Sequence, residues 1–131
     1  MQNKKGFTII ELLVVIAIIA VLATIVLVNV TQYTNKGKDA SAKGNLATLL
    51  TNGAIYFNSF TNYTGFNTSA SYNSVYNRLT TSGMSYTVIY SGNTTNYCTQ
   101  LTLKSGNTYC VDSTGKKLEK SGGTCSSSIC N

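Results

Sequence analysis

The chain contains no histidine, no tryptophan and no proline, and its 131 residues include only four acidic side chains. Without histidine there is no side chain that readily acts as a general base near neutral pH. The carboxylates outside the apolar N-terminal run, Asp39, Asp112 and Glu119, show no catalytic spacing, and no glycine-rich phosphate-binding pattern occurs. We therefore expect no catalytic residues, no cofactor and no enzymatic activity.

The lack of proline means that nothing forces a break in the N-terminal half, and residues 7 to 58 read as one long helix. From Leu12 to Val28 only Thr24 is not apolar. Residues 7–30 would make a helix of about 36 Å, enough to cross a hydrocarbon core of about 30 Å. We predict a transmembrane or assembly helix over 7–30.

Residues 31–58 read as an amphipathic continuation of this helix, because apolar and small residues recur there at steps of three or four. We expect this stripe to pack closely against the rest of the chain. It consists of Ala40, Gly44, Ala47, Leu50, Ala54 and Phe57.

Residues 59–131 have a different character, since 34 of these 73 residues are Ser, Thr or Asn. One short amphipathic helix is predicted over 71–79, and strands over 85–90, 97–103 and 108–112. A two-residue turn at Ser105-Gly106 would join the last two strands, and 91–96 would be a looser connection. The fold class expected is α+β, a long N-terminal helix whose second half packs on a small antiparallel sheet.

All four cysteines lie in this last part, at Cys98, Cys110, Cys125 and Cys130. An even count in a small polar domain predicts disulfides and an oxidising compartment. Zinc is the rival ligand, but no C-x-x-C pair occurs, so no metal site is expected. A two-residue turn would place Cys98 and Cys110 on opposite faces of the hairpin, and the three possible connectivities stay open.

The formal net charge of +6 comes from scattered lysines and one arginine. Nucleic acid is a conceivable partner of such a surface, but nothing in the spacing supports it. A solvated helix face and ordinary solubility explain the charges better.

Glu11 is the anomaly of the apolar run. A charge at the centre of a membrane helix costs roughly 2.5–3.5 kcal/mol on insertion scales, so such a residue is a functional hypothesis by default. A plain membrane anchor leaves Glu11 unexplained. A secretory signal cleaved before Thr24 would have a shorter apolar stretch than the one found here.

The order Gly6-Phe7-Thr8-Ile9-Ile10-Glu11, preceded by Lys4 and Lys5 and followed by the apolar helix, resembles the processing signature of type IV pilins and type II secretion pseudopilins. The amphipathic segment up to about residue 70 also resembles the family. After that point the resemblance is only architectural.

The resemblance implies that residues 1–6 are a leader removed between Gly6 and Phe7 by a prepilin peptidase and methyltransferase, which also methylates the amine of Phe7. It implies self-assembly into a filament with the help of inner-membrane machinery. Before assembly the chain would be a single-pass membrane protein with 59–131 outside the cytoplasm, and afterwards part of an extracellular or periplasmic filament. Glu11 would pair with the amine of Phe7 on a neighbouring subunit and so fix the axial register.

The chain departs from the family pattern in two places. Many members have proline where Val28 stands, and secretion pseudopilins carry an acidic calcium loop for which only Asp112 and Glu119 are available here. C-terminal cysteines occur in many type IV pilins, which favours a pilus subunit over the alternative of a pseudopilin. A second alternative is a membrane-tethered exported binding protein that does not polymerise.

Overall fold

The computed structural model describes residues 6–81, 83–123 and 125–131. Residues 1–5, which hold Lys4 and Lys5 of the predicted leader, lie outside the described residues. The chain divides into two compact units, Met1–Thr34 and Asn35–Asn131. The elements are α1 (Ile9–Phe60), a 3-10 turn (Phe66–Thr68), α2 (Ala70–Thr80), β1 (Val88–Gly92), β2 (Tyr97–Thr102), β3 (Thr108–Asp112), β4 (Lys117–Lys120), β5 (Cys125–Ser126) and β6 (Ile129–Cys130). The predicted α+β class is confirmed.

Helix α1 begins and ends two residues later than predicted, and it continues through the position of Val28. It ends where Thr61 adopts a left-handed conformation (φ 58°) and donates its N–H to the carbonyl of Phe57 at 2.6 Å. A left-handed residue just beyond the last turn is a common way to satisfy helix carbonyls. The end of α1 is therefore set by local backbone geometry without a glycine.

The buried face of α1 is a different stripe from the predicted one. It consists of Asp39, Ala42, Leu46, Leu49 and Gly53. Ala40, Gly44 and Ala54 of the predicted stripe are exposed, so that prediction was wrong by about one helix position. The prediction treated the charged Asp39 as solvent-facing and the exposed Ala40 and Ala54 as core residues.

Gly53 marks the closest approach of α1 to the sheet. A Cβ at this position would lie 2.5 Å from the ring of Tyr97, which is itself buried. The hydroxyl of Tyr97 donates a hydrogen bond to the carbonyl of Leu49 at 2.7 Å, one turn earlier in the helix. A glycine is thus required here for contact between a helix backbone and an aromatic ring.

The sheet is antiparallel with strand order β1-β2-β3-β4. In β2 and β3, Gln100 lies opposite Cys110, so the predicted register was wrong by one residue. Leu103 donates its N–H to the carbonyl of Asn107 just beyond the strand ends, which leaves a three-residue loop, 104–106. This loop ends in Gly106 (φ 91°), whose N–H donates to the carbonyl of Leu103. A left-handed glycine at the third loop position is the usual solution for hairpins of this length.

This register places Cys98 and Cys110 on the same face of the sheet. Cys110 lies opposite Gln100, and Cys98 is two residues from Gln100, so their side chains share a face. Two disulfides, Cys98–Cys125 and Cys110–Cys130, tie the hairpin β5–β6 to that face. The Sγ atoms of Cys98 and Cys110 lie 3.0 Å apart. All four sulfurs belong to the two disulfides, so they are not thiolates of the kind that ligate zinc.

The opposite face of the sheet carries the main core of Asn35–Asn131. It is formed by α1, the loop after it, α2 and the odd-numbered residues of β2. Of the five aromatic residues from 56 to 66, Phe66 and Tyr63 are buried and Tyr56 is half-buried, whereas Phe57 and Phe60 are exposed. Only part of this aromatic cluster therefore belongs to the core.

Two buried aspartates organise the loops of this unit. Asp39 on α1 accepts hydrogen bonds from the hydroxyl of Tyr86 (2.7 Å) and the amides of Lys104 (2.8 Å) and Ser105 (3.1 Å). Burial acts to raise the pKa of Asp39, but these hydrogen bonds outweigh it, and the pKa lies below its ordinary value. Asp39 thereby fixes the β2–β3 loop to the helix.

Asp112 does the same for the C-terminus. Its carboxylate accepts hydrogen bonds from the amides of Thr114 (2.9 Å), Lys116 (3.2 Å) and Cys130 (2.9 Å). Burial again opposes ionisation, and the hydrogen bonds, the one from the Cys130 amide foremost, leave the pKa of Asp112 below its ordinary value. The ammonium group of Lys116 also donates to the carbonyl of Cys130 at 2.7 Å.

Candidate assembly site

Gly6 and Phe7 precede the first turn of α1 and belong to no helix or strand. Both are exposed, Phe7 to 81%. A Cβ built on Gly6 would meet no described atom within 4 Å. The Gly6–Phe7 peptide bond is thus held in no regular structure that a peptidase would have to unwind.

Glu11 lies in the first turn of α1 and is hydrogen-bonded to Thr8. Its carboxylate accepts from the amide of Thr8 (2.8 Å) and from the hydroxyl of Thr8 (2.8 Å), while the amide of Glu11 donates to that hydroxyl (3.3 Å). This reciprocal arrangement is a capping box, in which residues three apart satisfy each other's backbone N–H groups at a helix start.

The capping role of Glu11 was not predicted, although the sequence contains its signal. Thr8-Ile9-Ile10-Glu11 matches the S/T-x-x-E pattern that precedes an apolar helical run. Glu11 therefore has a hydrogen-bonding role even in a single molecule.

The apolar residues that follow Glu11 have no packing partner within their own unit. Every described residue from Gly6 to Thr34 is exposed. The exposed fraction of the large apolar side chains between residues 9 and 30 ranges from 45% at Val15 to 84% at Ile9. Among the described residues one helix, α1, is long and apolar enough by length and composition to cross a membrane. A continuous apolar surface of this size marks contact with lipid or protein.

Two threonine hydroxyls of this part of α1 are satisfied by the helix itself. The hydroxyl of Thr24 donates to the carbonyl of Val21 at 2.7 Å, and that of Thr31 donates to the carbonyl of Leu27 at 3.1 Å. Such back-bonding removes most of the cost of placing a hydroxyl in an apolar environment. Glu11 is the one ionisable side chain among residues 7–30.

Comparison with known proteins agrees with this geometry. A family model described as the prokaryotic N-terminal methylation motif matches residues 1–27. The chain is also 39% identical over 64 residues to the type IV major pilin protein PilA of Myxococcus xanthus (strain DK1622). No solved structure gives a significant match.

The similarity to the Myxococcus pilin covers 49% of this chain and 29% of that protein, so the chain spans less than a third of the length of the curated relative it matches. The methylation motif contains the Gly6–Phe7 bond and Glu11 within its matched range. Together with an exposed apolar helix followed by a small four-stranded antiparallel sheet, these findings confirm the resemblance seen in the sequence. The chain is therefore similar to type IV pilins, and its first 27 residues carry the methylation motif.

Proposed function

We propose that this chain is a structural subunit of a type IV pilus or a closely related filament. A prepilin peptidase cleaves it between Gly6 and Phe7, the new amine of Phe7 is methylated, and the mature subunits assemble through α1. The unit Asn35–Asn131, with its disulfides, lies outside the cytoplasm, where an oxidising compartment maintains the two bonds.

The observation that carries this proposal is the unburied apolar surface of residues 9–30 directly after the methylation motif. The other unit has a core of its own, formed by Leu46, Leu49, Phe66 and Leu101 among others. The apolar surface therefore requires a cover from outside the chain. Lipid supplies it before assembly and the helices of other subunits supply it afterwards.

Glu11 has two separable functions under this proposal. Its carboxylate completes the capping box with Thr8, and its charge pairs with the amine of Phe7 on the next subunit. Cleavage after Gly6 leaves both members of the capping box on the mature chain. A pair of opposite charges in a dry bundle favours one stagger between neighbours, because other staggers leave both charges unpaired.

The first experiment concerns processing. In cells that make the protein naturally, mass spectrometry of the purified chain should find methylated Phe7 as the first residue. Gly6→Val should leave an unprocessed precursor, since a β-branched side chain obstructs close approach to the backbone. A mature chain that begins at Met1 would indicate a plain anchor, and one that begins at Thr24 would indicate a secretory signal; either result overturns the proposal.

The second experiment separates the two functions of Glu11. Glu11→Gln keeps a side chain that can complete a capping box but loses the charge. Thr8→Ala keeps the charge but removes the cap, at a cost of about 1 kcal/mol. If the charge fixes the register, electron microscopy should show few or no filaments for Glu11→Gln and near-normal numbers for Thr8→Ala. The opposite pattern would assign Glu11 to helix capping alone.

A further inference from the structure

The charges of the chain are distributed unevenly. Between Lys43 and Lys104 the only charged residue is Arg78, although the net charge of the protein is +6. The same stretch holds seven of the nine tyrosines. A basic protein thus presents one region whose surface chemistry is tyrosine, asparagine, serine and threonine.

Two adjoining depressions lie in this region, with volumes of about 340 Å³ and about 230 Å³. They share Asn67 and Tyr90, so they form one shallow groove, which we call the tyrosine–asparagine groove. None of the described residues that line it is charged. The lining is formed by Tyr63, Thr64, Gly65, Asn67, Tyr72, Asn73, Tyr76, Val88, Tyr90, Gly92, Asn93 and Thr94.

The aromatic part of the groove is a set of rings that hold one another in place. The ring of Tyr90 meets the ring of Tyr72 edge to face at 5.3 Å, and Tyr72 stacks on Tyr76 at 6.3 Å. Tyr76 is 39% exposed, whereas Tyr72 is buried. Gly92 leaves room for Tyr90, whose hydroxyl would lie 2.2 Å from a Cβ at that position. Tyr76 and Tyr90 therefore offer ring surface on a rigid base.

The polar part of the groove consists of side-chain amides and hydroxyls. Asn67 is exposed, and no described residue hydrogen-bonds its side-chain amide. Asn93 is held by two backbone N–H groups, those of Thr95 (2.9 Å) and Asn96 (2.7 Å), which its side-chain oxygen accepts. The side-chain N–H of Asn73 donates to the carbonyl of Thr68 at 3.1 Å. The exposed amide of Asn67, which lines both depressions, is thus free to hydrogen-bond a ligand in the groove.

We propose that the tyrosine–asparagine groove binds a neutral oligosaccharide made of pyranose rings. The C–H faces of a pyranose are apolar and match tyrosine rings, while its hydroxyls both donate and accept hydrogen bonds, as an asparagine amide does. A groove without charge gives no advantage to an anionic or a cationic ligand. The inference rests on the folded unit Asn35–Asn131 and does not depend on whether the chain forms a filament.

Binding is tested with the full chain in a detergent that carries no sugar, because a maltoside headgroup would compete. The probes are cellohexaose and chitohexaose, with dextran sulfate as an anionic comparison. The chain has no tryptophan, so tyrosine fluorescence can follow binding, and four of the nine tyrosines line the groove. We expect saturable binding of at least one neutral probe that is insensitive to salt. No binding of either neutral probe at millimolar concentration, or salt-sensitive binding of dextran sulfate alone, overturns the proposal.

Variants locate the site. Tyr76→Ala should weaken binding by about tenfold and Asn67→Ala by about five- to tenfold. Tyr76→Phe keeps the ring and should bind within about twofold of the natural chain. Phe60→Ala removes an exposed ring outside the groove and should have no effect. Unchanged binding in Tyr76→Ala and Asn67→Ala overturns the assignment. So does the finding that Tyr76→Ala abolishes self-association of the chain, since the groove would then be an interface between copies.

Discussion

Each of the four acidic side chains has a hydrogen-bonding partner within the chain, and each holds a loop or a helix end. Glu11 is bonded to Thr8, Asp39 to the β2–β3 loop, Asp112 to the C-terminus and Glu119 to Lys43 and Asn107. Glu11, Asp39 and Asp112 accept backbone N–H groups that would otherwise be unsatisfied, whereas Glu119 is bonded to side chains only. Acidic residues are rare here, and every one that remains has a structural role.

Asp39→Ala should strongly destabilise the unit Asn35–Asn131. The change leaves the partly buried amides of Lys104 and Ser105 and the buried hydroxyl of Tyr86 without their acceptor, and a buried group left unsatisfied costs about 1–3 kcal/mol. Urea unfolding of the full chain in micelles, followed by tyrosine fluorescence, measures the loss. Tyr86→Phe, which removes one of the three bonds, should cost about 1 kcal/mol. Equal losses for the two variants would contradict this account.

Acid should destabilise the same unit. The pKa values of Asp39 and Asp112 lie below their ordinary value of about 3.9, so the unfolded chain binds protons more readily than the folded chain. Their contribution to stability is complete above the ordinary pKa and is lost as the pH falls through the lower, folded-state pKa. The free energy of unfolding should therefore decline below about pH 4, with a shallower decline in Asp112→Asn. A profile that is flat from about pH 5 to pH 2 would rule out this linkage.

At the scale of elements, the sequence predicts what periodicity and composition control. It predicts α1 to within two residues at each end, α2 to within one, and β3 completely. The family signature locates Gly6, Phe7 and Glu11 as candidates, because processing motifs are local. These features depend on residues that are close together in the chain.

The sequence fails where a distant contact decides the outcome. The buried stripe of α1 includes Asp39 because backbone amides of the β2–β3 loop, 65 and 66 residues away, supply its hydrogen bonds. The register of β2 and β3 depends on a left-handed Gly106, which a turn count treats as one of two loop residues. The strands β4 to β6 were not predicted, because they are short and polar. Disulfides and Asp112 hold the last two in place.

The glycines of α1 give a matched test of this packing. Gly53→Ala places a Cβ 2.5 Å from the ring of Tyr97 and should destabilise the fold by about 1–3 kcal/mol. Gly44→Ala is its control, because no described atom lies within 4 Å of a Cβ there and alanine favours helix by up to about 1 kcal/mol. Thermal unfolding should therefore shift down for the first variant and up for the second. A shift of the same sign in both would show that α1 does not approach Tyr97 as described.

At the scale of the whole molecule, the two units require different environments. The unit Met1–Thr34 presents apolar surface that is stable only against lipid or other helices, whereas Asn35–Asn131 closes its own core and fastens the far face of its sheet with disulfides. The two faces of β2 also have different neighbours. One side packs on the helical layer, and the other lies beneath a hairpin too short to hold itself in place.

Removing the disulfides should unfold the second unit while leaving the apolar first part of α1 helical in the membrane. The bonds close loops with sequence separations of 27 and 20 residues, which corresponds to about 3–4 kcal/mol each in the chain-entropy account. The sum, about 7 kcal/mol, is comparable with the whole stability of a domain of this size.

Replacing one pair, Cys98 with Cys125 or Cys110 with Cys130, by alanine should leave a folded unit whose Tm is lower by more than about 10 °C. Replacing all four should abolish the tyrosine near-ultraviolet circular dichroism at 37 °C, while far-ultraviolet spectra in micelles keep the signal of the apolar helix. Retention of a cooperative transition in the four-alanine variant, within about 5 °C of the natural chain, would show that the helical face of the sheet alone maintains the fold.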